Sequence, residues 1–202
     1  MRLPYVPNPP QFENEADQAI VERVQKRRGE RGLMELDLAL LNAPPVADGW
    51  NSFLGSIRTG TSLSTSIREA AICRVAVLNN AWYEWKDHAP ILRAAGDVDE
   101  QDVQYIAKKR PNTERPSHGA TATEENVRPS HMTEKHLAVL EYTDVMTLDV
   151  SVPDEIFQRL RASFTEREVV EITATVGAYN CVSRFLVALD VGEKNGDTGP
   201  NQ

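Results

Sequence analysis

Residues 68–96 read REAAICRVAVLNNAWYEWKDHAPILRAAG, and this stretch decides the predicted fold. Residues 70–78 form a long apolar stretch with helical character, which Asn79-Asn80 breaks or kinks. A second helical segment covers residues 82–95. Pro90 lies inside it and either kinks that helix or marks the first turn of a new one. The stretch therefore predicts a pair of consecutive helices.

The remaining sequence predicts further helices, because no segment shows the two-residue alternation of a strand. The prolines of the opening PYVPNPP favour an extended arm at residues 1–13, followed by a single domain at residues 14–192. The polar residues 108–130 predict a mobile loop, and residues 193–202 predict a disordered tail. The expected fold class is all-α, with helices at residues 14–28, 32–41, 45–59, 66–78, 82–95, 99–109, 133–146, 153–163 and 166–189.

Composition excludes several classes of function. A chain of 202 residues, 41% apolar and 26% charged, suits one soluble domain with a substantial core. The net charge of -8 argues against non-specific binding to nucleic acid, which requires a basic face. Short apolar runs and an opening without an apolar leader argue against a membrane span or a secretory signal. We therefore expect a cytoplasmic protein with neither nucleic acid nor membrane as a partner.

Cysteines and histidines give no pattern typical of a metal or redox site. Cys73 and Cys181 lie far apart in apolar stretches and predict buried, reduced thiols, since the sequence has no Cys-x-x-Cys. His118, His131 and His136 fall in or beside the polar loop without the spacing of metal ligands. We therefore expect neither a metal nor an organic cofactor.

The segment that begins at Trp82 offers candidate catalytic residues. On a helix, Glu84 and His88 are four residues apart, so the carboxylate can hold one imidazole tautomer and leave the other nitrogen to move a proton. Trp82, Tyr83 and Trp85 are then candidates for the walls of a substrate pocket. The alternative is a local structural hydrogen bond surrounded by core aromatics. Spacing alone leaves both interpretations open.

Glu69 is a further candidate, with a competing structural explanation. It lies fifteen residues before Glu84, and a turn at Asn79-Asn80 would let it face the same cavity as His88. Two carboxylates beside one histidine would shift one another's pKa values. In the other interpretation, Glu69 is the partner of Ser66 in an S-x-x-E capping box at the helix start.

The chain also contains an internal echo. SIREAAICRVAVLNNAWYEW, from Ser66, is similar in pattern to TEREVVEITATVGAYNCVSRF, from Thr165. The alignment places Ser183 opposite Glu84 and Val187 opposite His88, so only the first copy carries the ionisable pair. We interpret the echo as one helical unit used twice, with a pocket between the two copies.

Taken together, these segments resemble the carboxymuconolactone decarboxylase and AhpD-like superfamily, in particular a subgroup with Tyr-Glu-Trp-x-x-His and no Cys-x-x-Cys. The resemblance covers nearly the whole chain, from the arm to Gly192, and its most specific parts are Arg68-Glu69, Tyr83–His88 and Val182-Ser183-Arg184-Phe185. It implies an all-α, AhpD-like helical domain with a two-fold helical pseudo-repeat. It also implies self-association as a dimer, trimer or hexamer.

The resemblance implies two different kinds of reaction, because members of this superfamily use two different chemistries. In AhpD-type members a glutamate, two cysteines and a histidine reduce peroxides, and these positions match Glu69, Ala81, Glu84 and His88 here. Without a thiol at either cysteine position, peroxide reduction lacks its nucleophile. Decarboxylase members act without metal or cofactor on a small lactone acid, through a histidine-centred site. Such a substrate needs a carboxylate-binding residue, and Arg74 and Arg93 are weak candidates for it.

Three hypotheses follow for the function. The first is a cofactor-independent decarboxylase or isomerase for a small organic acid or lactone. In it His88 is the general acid/base, Glu84 its orienting partner and Glu69 a second proton carrier. The second is a non-catalytic oligomeric binding protein of the same fold. The third is a thiol peroxidase that relies on Cys73 or Cys181.

Overall fold

The computed structural model describes residues 1–109 and 129–199, and these contain nine α-helices and no strand. The prediction of an all-α fold is therefore confirmed. Short 3-10 turns at Gly29–Arg31 and Val191–Glu193 follow the first and last helices. The helices are α1 (Glu15–Arg28), α2 (Glu35–Leu40), α3 (Pro44–Thr59), α4 (Thr65–Leu78), α5 (Trp82–Arg93), α6 (Glu100–Lys108), α7 (Glu134–Leu148), α8 (Asp154–Ser163) and α9 (Glu166–Leu189).

Local sequence signals account for most of the helix ends. Asn14 caps α1 through a hydrogen bond from the Ala16 amide, and Asp99 caps α6 through a bond from the Asp102 amide. Pro44 opens α3, where its missing N–H costs nothing. The predicted capping box at the start of α4 is wrong. Ser64 caps this helix instead, because its side chain accepts the hydrogen bond from the Ile67 amide.

Helix α4 lies at the centre of the domain and packs against α5, α7 and α9. Its residues from Ser66 to Ala76 are buried with the exception of Arg68. A helix that is apolar on all sides needs neighbours on all sides, which explains this position. Two apolar clusters flank it: a large one that extends from α1 to α9, and a smaller one formed mainly by α4, α5 and α6.

The chain reverses between α4 and α5 as the two asparagines predict. Asn80 adopts the left-handed backbone conformation, with φ of 53°, which asparagine tolerates better than most residues. The side-chain amide of Asn79 donates to Asn180 Oδ1 at 3.1 Å and to Ser183 Oγ at 2.9 Å, both on α9. These contacts fix the break, so that α5 folds back along α4.

The N-terminal arm lies across the surface of the same chain. The amide of Arg2 donates to the Leu189 carbonyl at 2.8 Å, and the amide of Val6 donates to the Leu38 carbonyl at 3.2 Å. Most of the predicted loop at residues 108–130, and residues 200–202 of the predicted tail, lie outside the described residues. Within the described part of that tail, the Asn195 amide bonds to Asp190 at 3.0 Å.

Helix α9 is, among the residues that the structure describes, the one helix long and apolar enough to cross a membrane. In the structure it packs against α4, α3, α7, α5 and α8, and residues such as Ile172, Val176 and Tyr179 are buried along it. This packing is typical of the core helix of a soluble domain.

Candidate active site

A pocket with about 440 Å³ of empty volume, part of it open to solvent, lies between α1, α3, α5 and α9. Its walls combine apolar side chains with several charged ones, and they include Glu84 and His88. The lining residues are Arg27, Arg28, Met34, Leu36, Trp50, Leu54, Arg58, Tyr83, Glu84, Asp87, His88, Tyr179, Val182 and Leu186.

His88, which lines this pocket, forms a buried pair with Glu69. His88 Nδ1 lies 2.6 Å from Glu69 Oε2, and both side chains are nearly inaccessible to solvent. Tyr179 packs edge-on against the imidazole, with the ring centroids 5.0 Å apart. Since Nδ1 is held by the carboxylate, Nε2 is the nitrogen left for a ligand in the pocket. This is the geometry of an oriented general base.

The ionisation of Glu69 depends on this pair. Burial by itself raises the pKa of Glu69, but the hydrogen bond from His88 and the charges of His88, Arg68 and Arg58 outweigh it and leave the pKa below its usual value. Glu69 is therefore an anion at neutral pH. An anionic partner holds the N–H on Nδ1 and stabilises the imidazolium that forms when Nε2 takes up a proton.

Glu84 has a different environment. Its side chain is 2% exposed, and neither carboxylate oxygen has a hydrogen-bond partner among the described residues. Burial raises the pKa of the Glu84 carboxyl well above its usual range. The group is therefore a neutral carboxylic acid at pH 7, with a proton to donate into the pocket. Buried polar groups are rarely left without a partner, and those that are often mark functional sites.

The structure therefore reverses two roles expected from the sequence. The hydrogen bond predicted between Glu84 and His88 is absent, because Glu69 on the neighbouring helix holds the imidazole. The capping interpretation of Glu69 is wrong as well, since its carboxylate contacts His88 and Arg68. Ser66, its predicted capping partner, instead donates to Asp97 at 2.6 Å. Glu84 and His88 line the pocket, and Glu69 contacts His88 without being part of the lining.

Only part of the predicted aromatic wall lies at the pocket. Tyr83 lines it, and the Tyr83 hydroxyl donates to Glu35 Oε2 at 3.0 Å. Trp82 and Trp85 instead pack on the smaller apolar cluster, on the other side of α5. Consecutive helical positions point about 100° apart, so three adjacent aromatics cannot face one cavity. The aromatic residues missed by the sequence analysis are Trp50 and Tyr179.

The arginines of the pocket were also missed. Arg74, a predicted carboxylate binder, is 1% exposed and pairs with Asp144 in the core, so it holds α4 to α7. Arg93, the other candidate, pairs with Glu100 at the surface. Arg27 and Arg58 line the pocket instead. The spacing of Trp50, Leu54 and Arg58, at i, i+4 and i+8, was a usable signal that these three share one face of α3.

Neither cysteine is placed for chemistry in the pocket. Cys73 is fully buried in the smaller apolar cluster, and burial, followed by the charge of Glu69, raises the pKa of its thiol well above the usual range. Cys181 is exposed on α9, so the prediction that it is buried is wrong. Both thiols are free in the structure.

One cluster of the described residues has the composition of a metal site. Donor atoms of Asp99, Asp102 and His131 lie within 4.8 Å of one another. Each carboxylate already has a structural partner, since Asp99 caps α6 and Asp102 accepts from the backbone amides of Ser130 and His131. These contacts explain the cluster as the junction where the chain re-enters the domain. His136 lies elsewhere, with Nε2 3.1 Å from Ser66 Oγ, and His118 is outside the described residues.

The comparisons with known proteins bear on the fold. No protein-family model matches the chain, and no curated protein matches it. Among solved structures, the chain is similar to a protein of unknown function from Agrobacterium tumefaciens, provisionally assigned as the antioxidant defence protein AhpD. The two are 21% identical, with a TM-score of 0.57, over 74% of this chain and 90% of that one. The chain therefore has an AhpD-like helical fold.

Proposed function

We propose that the protein is a cofactor-independent enzyme that transfers protons on a small organic acid or lactone, in an isomerisation or decarboxylation. The observation that carries this proposal is the presence of a base and an acid in one pocket. His88 has a free Nε2 and an anionic partner, whereas Glu84 is a buried neutral acid without a partner among the described residues. Because burial raises the pKa of Glu84, an acid and an imidazole base are present in one pocket at the same pH.

In an isomerisation, His88 Nε2 takes a proton from a carbon next to the substrate carbonyl. The electron pair of the broken C–H bond moves into the carbonyl, and the oxygen becomes negative. Glu84 keeps its proton and donates a hydrogen bond to that oxygen, which stabilises the developing charge at the buried end of the pocket. Return of the proton from the imidazolium to another carbon completes the reaction. Glu69 keeps Nδ1–H in place throughout.

In a decarboxylation the same groups act in another order. The C–C bond to the leaving CO₂ breaks, and its electron pair moves into the substrate carbonyl, where Glu84 stabilises the oxygen. His88, which has taken up a proton from solvent at Nε2 before this step, then donates that proton to the carbon that lost CO₂. Both reactions use only the transfer of protons and the placement of charge.

The thiol-peroxidase hypothesis has no support from this site. A hydroperoxide is attacked by a thiolate, and burial raises the pKa of Cys73 well above its usual range and keeps the thiol protonated. Cys181 is exposed outside the pocket lining. The remaining alternative is a binding protein that uses the same pocket without turnover.

Proton transfer is tested without knowledge of the product by exchange in D₂O. Small oxo acids, unsaturated acids and lactones are incubated with the protein, and loss of the acidic C–H signal is followed by proton NMR. We expect exchange of at least one compound by the wild type, and a loss of about 100-fold or more in His88→Ala. Added imidazole should restore part of that loss.

The matched control is His131→Ala, because this histidine is exposed and lies outside the pocket lining. It should keep the wild-type exchange rate. Helicity measured by circular dichroism shows that each variant folds. An absence of exchange across the whole set, with ligands that nonetheless bind, would establish the binding-protein alternative instead.

Self-association remains part of the proposal. Val46 and Phe53 are exposed apolar side chains on α3, about half accessible in the isolated chain. We expect a dimer, trimer or hexamer in solution and a cytoplasmic protein. Light scattering coupled to size-exclusion chromatography measures the oligomer, and a monomer at micromolar concentration would contradict this part of the proposal.

A further inference from the structure

The charges that line the pocket do not balance. Arg28 is paired by two hydrogen bonds to Asp37, at 2.8 and 2.7 Å, and Asp87 is paired with Arg31. Arg58 lines the pocket, is half-buried, and has neither a hydrogen bond nor an ion pair to any described residue. Because Glu84 is neutral, it does not compensate this guanidinium, and the anion Glu69, whose pKa Arg58 helps to lower, is already held by His88 and Arg68. A half-buried charge without a partner costs free energy, and an anionic ligand would remove that cost.

Arg27 adds to the excess. Its Nε donates to the neutral side chain of Asn51, and its guanidinium lies 3.9 Å from Asp37, which Arg28 already occupies. Burial lowers the pKa of Arg27, and the charges of Arg28 and Arg58 lower it further against the opposing effect of Asp37. The field at this side of the pocket is therefore positive.

We infer that Arg58, supported by Arg27, binds a carboxylate of the substrate, and that this carboxylate remains on the product. The inference rests on the proposed function for the identity of the reacting end of the pocket. A planar carboxylate accepts two parallel hydrogen bonds from one guanidinium. Its single negative charge also matches the single positive charge of Arg58, which a doubly charged phosphate exceeds.

Differential binding of substrate and transition state requires that the carboxylate on Arg58 be retained. When CO₂ leaves, the negative charge of its carboxylate moves into the rest of the substrate. An arginine on that group would stabilise the substrate more than the transition state and would slow the reaction. Arg58 is therefore useful for a carboxylate that does not react. The reacting carbonyl then lies at the Glu84–His88 end, with Leu54 and Val182 among the apolar residues that line the pocket.

This places the substrate in one chemical class. It is a small acid that carries a carboxylate at one end and a carbonyl or lactone at the other, joined by a few apolar carbons. An acid with a single carboxylate would be isomerised, and only an acid with a second carboxylate would be decarboxylated.

The test is a binding experiment that needs no turnover. The probe is 4-oxopentanoate, which has a carboxylate and a ketone, and its neutral counterpart is 4-oxopentanamide. We expect isothermal titration calorimetry to show that the wild type binds the acid about 10- to 100-fold more tightly than the amide. Arg58→Gln should lose that preference, while Arg58→Lys should keep part of it because it retains the charge.

Arg23→Gln is the control for a general loss of positive charge. Arg23 lies on α1, pairs with Asp48 at the surface and is outside the pocket lining, so its removal should leave both affinities unchanged. Inorganic phosphate at the same concentration should fail to displace the acid. Equal binding of acid and amide by the wild type, an unaltered preference in Arg58→Gln, or displacement by phosphate would each overturn the inference.

His88→Ala separates this inference from the proposed function. Removal of the imidazole should abolish exchange and leave the preference for the acid intact, since Arg58 lies on a different helix. A protein that prefers the acid but exchanges no proton would retain the carboxylate site and lose the enzymatic proposal. A protein that exchanges protons without any preference for the acid would retain the enzymatic proposal and lose the carboxylate site.

Discussion

His88 Nδ1 and Glu69 Oε2 are 2.6 Å apart although nineteen residues separate them in the chain. The contact exists because the left-handed Asn80 ends α4 and lets α5 return along it. Glu84, one turn before His88 on the same helix, has no hydrogen-bond partner among the described residues. The break between the two helices thus assigns one glutamate to the imidazole and leaves the other to the pocket.

The first prediction concerns the tautomer of His88. We expect the neutral imidazole to carry its proton on Nδ1 at pH 8, because the anionic Glu69 accepts it. Long-range ¹H–¹⁵N spectra of labelled protein distinguish the two ring nitrogens directly. In Glu69→Ala the preference for Nδ1–H should disappear. An Nε2–H tautomer in the wild type would contradict the proposed base.

The second prediction concerns stability and Glu84. Its folded-state pKa lies above the usual value because of burial, so the neutral form stabilises the fold fully below about pH 4.5. As the pH rises above that value the unfolded chain ionises first, and stability falls by about 1.4 kcal/mol per pH unit from this group. Glu84→Gln has no proton to lose. Its stability relative to the wild type should therefore rise with pH between 5 and 8.

Urea unfolding at a series of pH values measures this difference. The matched control is Glu22→Gln on α1, since Glu22 is exposed and should leave the pH dependence of stability unchanged. A constant difference between Glu84→Gln and the wild type across this range would mean that Glu84 is ionised in the folded protein. A gain in stability accompanied by a loss of exchange activity is the pattern expected of a strained functional residue.

Sequence signals that act locally predicted the fold well. Caps and prolines such as Asn14, Asp99 and Pro44 mark helix ends within a residue or two, because they satisfy or remove backbone groups in their own turn. The internal echo gave a less uniform result. Thr165 caps α9 as expected, whereas α4 is capped by Ser64, two residues before the position that the alignment indicates. The two-fold pseudo-repeat therefore stays a prediction.

The site was predicted less completely than the fold. Helical spacing correctly marked Glu84 and His88 as neighbours, but it could not show that a carboxylate from α4 holds the imidazole more favourably. Likewise, the sequence offered Arg74 as a candidate carboxylate-binding residue, whereas its partner Asp144 lies seventy residues away and is known only from the packing. Contacts between distant segments depend on tertiary structure, and a single sequence does not contain them in a local pattern.

The third prediction tests the structural role of Arg74. Asp144→Ala removes the carboxylate that pairs with Arg74 and also with Lys109, leaving a fully buried guanidinium without its counter-ion. The loss of stability should be about 3–5 kcal/mol. Arg93→Gln breaks a surface pair with Glu100 and should cost at most about 1 kcal/mol. Similar losses in both variants, measured by urea unfolding, would contradict the assignment of Arg74 to the core.

The fourth prediction concerns Gly192, which lies against the pocket wall. A Cβ at this position would overlap the ring of Tyr83 at Cδ2, and the backbone φ of +70° is unfavourable for any residue with a side chain. Gly192→Ala should therefore destabilise the protein by roughly 2–4 kcal/mol and displace Tyr83. The measurement is the unfolding free energy, together with the near-ultraviolet circular dichroism of the aromatic residues.

Two glycines separate the causes of that loss. Gly29 has φ of +59°, and a Cβ added there would meet nothing within 4 Å, so Gly29→Ala reports backbone strain alone. Gly196 has open space as well and no such φ, and Gly196→Ala should be close to neutral. If Gly192→Ala costs no more than Gly29→Ala, the close contact with Tyr83 has no energetic weight.

The last prediction concerns acid sensitivity and His136. Its Nε2 lies 3.1 Å from Ser66 Oγ, and its Nδ1 contacts the amide of Thr133 at 3.3 Å, which requires a neutral ring. Burial lowers the pKa of His136, against the raising effect of Asp97 and Asp102. The unfolded chain therefore takes up a proton first as the pH falls below about 6.5, and stability declines from there until the folded pKa is passed.

His136→Gln should lose about 1–2 kcal/mol at pH 7.5 and lack this decline, whereas His131→Gln should keep it. An acid limb of equal slope in wild type and His136→Gln, measured by thermal unfolding between pH 7.5 and 5.5, would assign the decline to other groups.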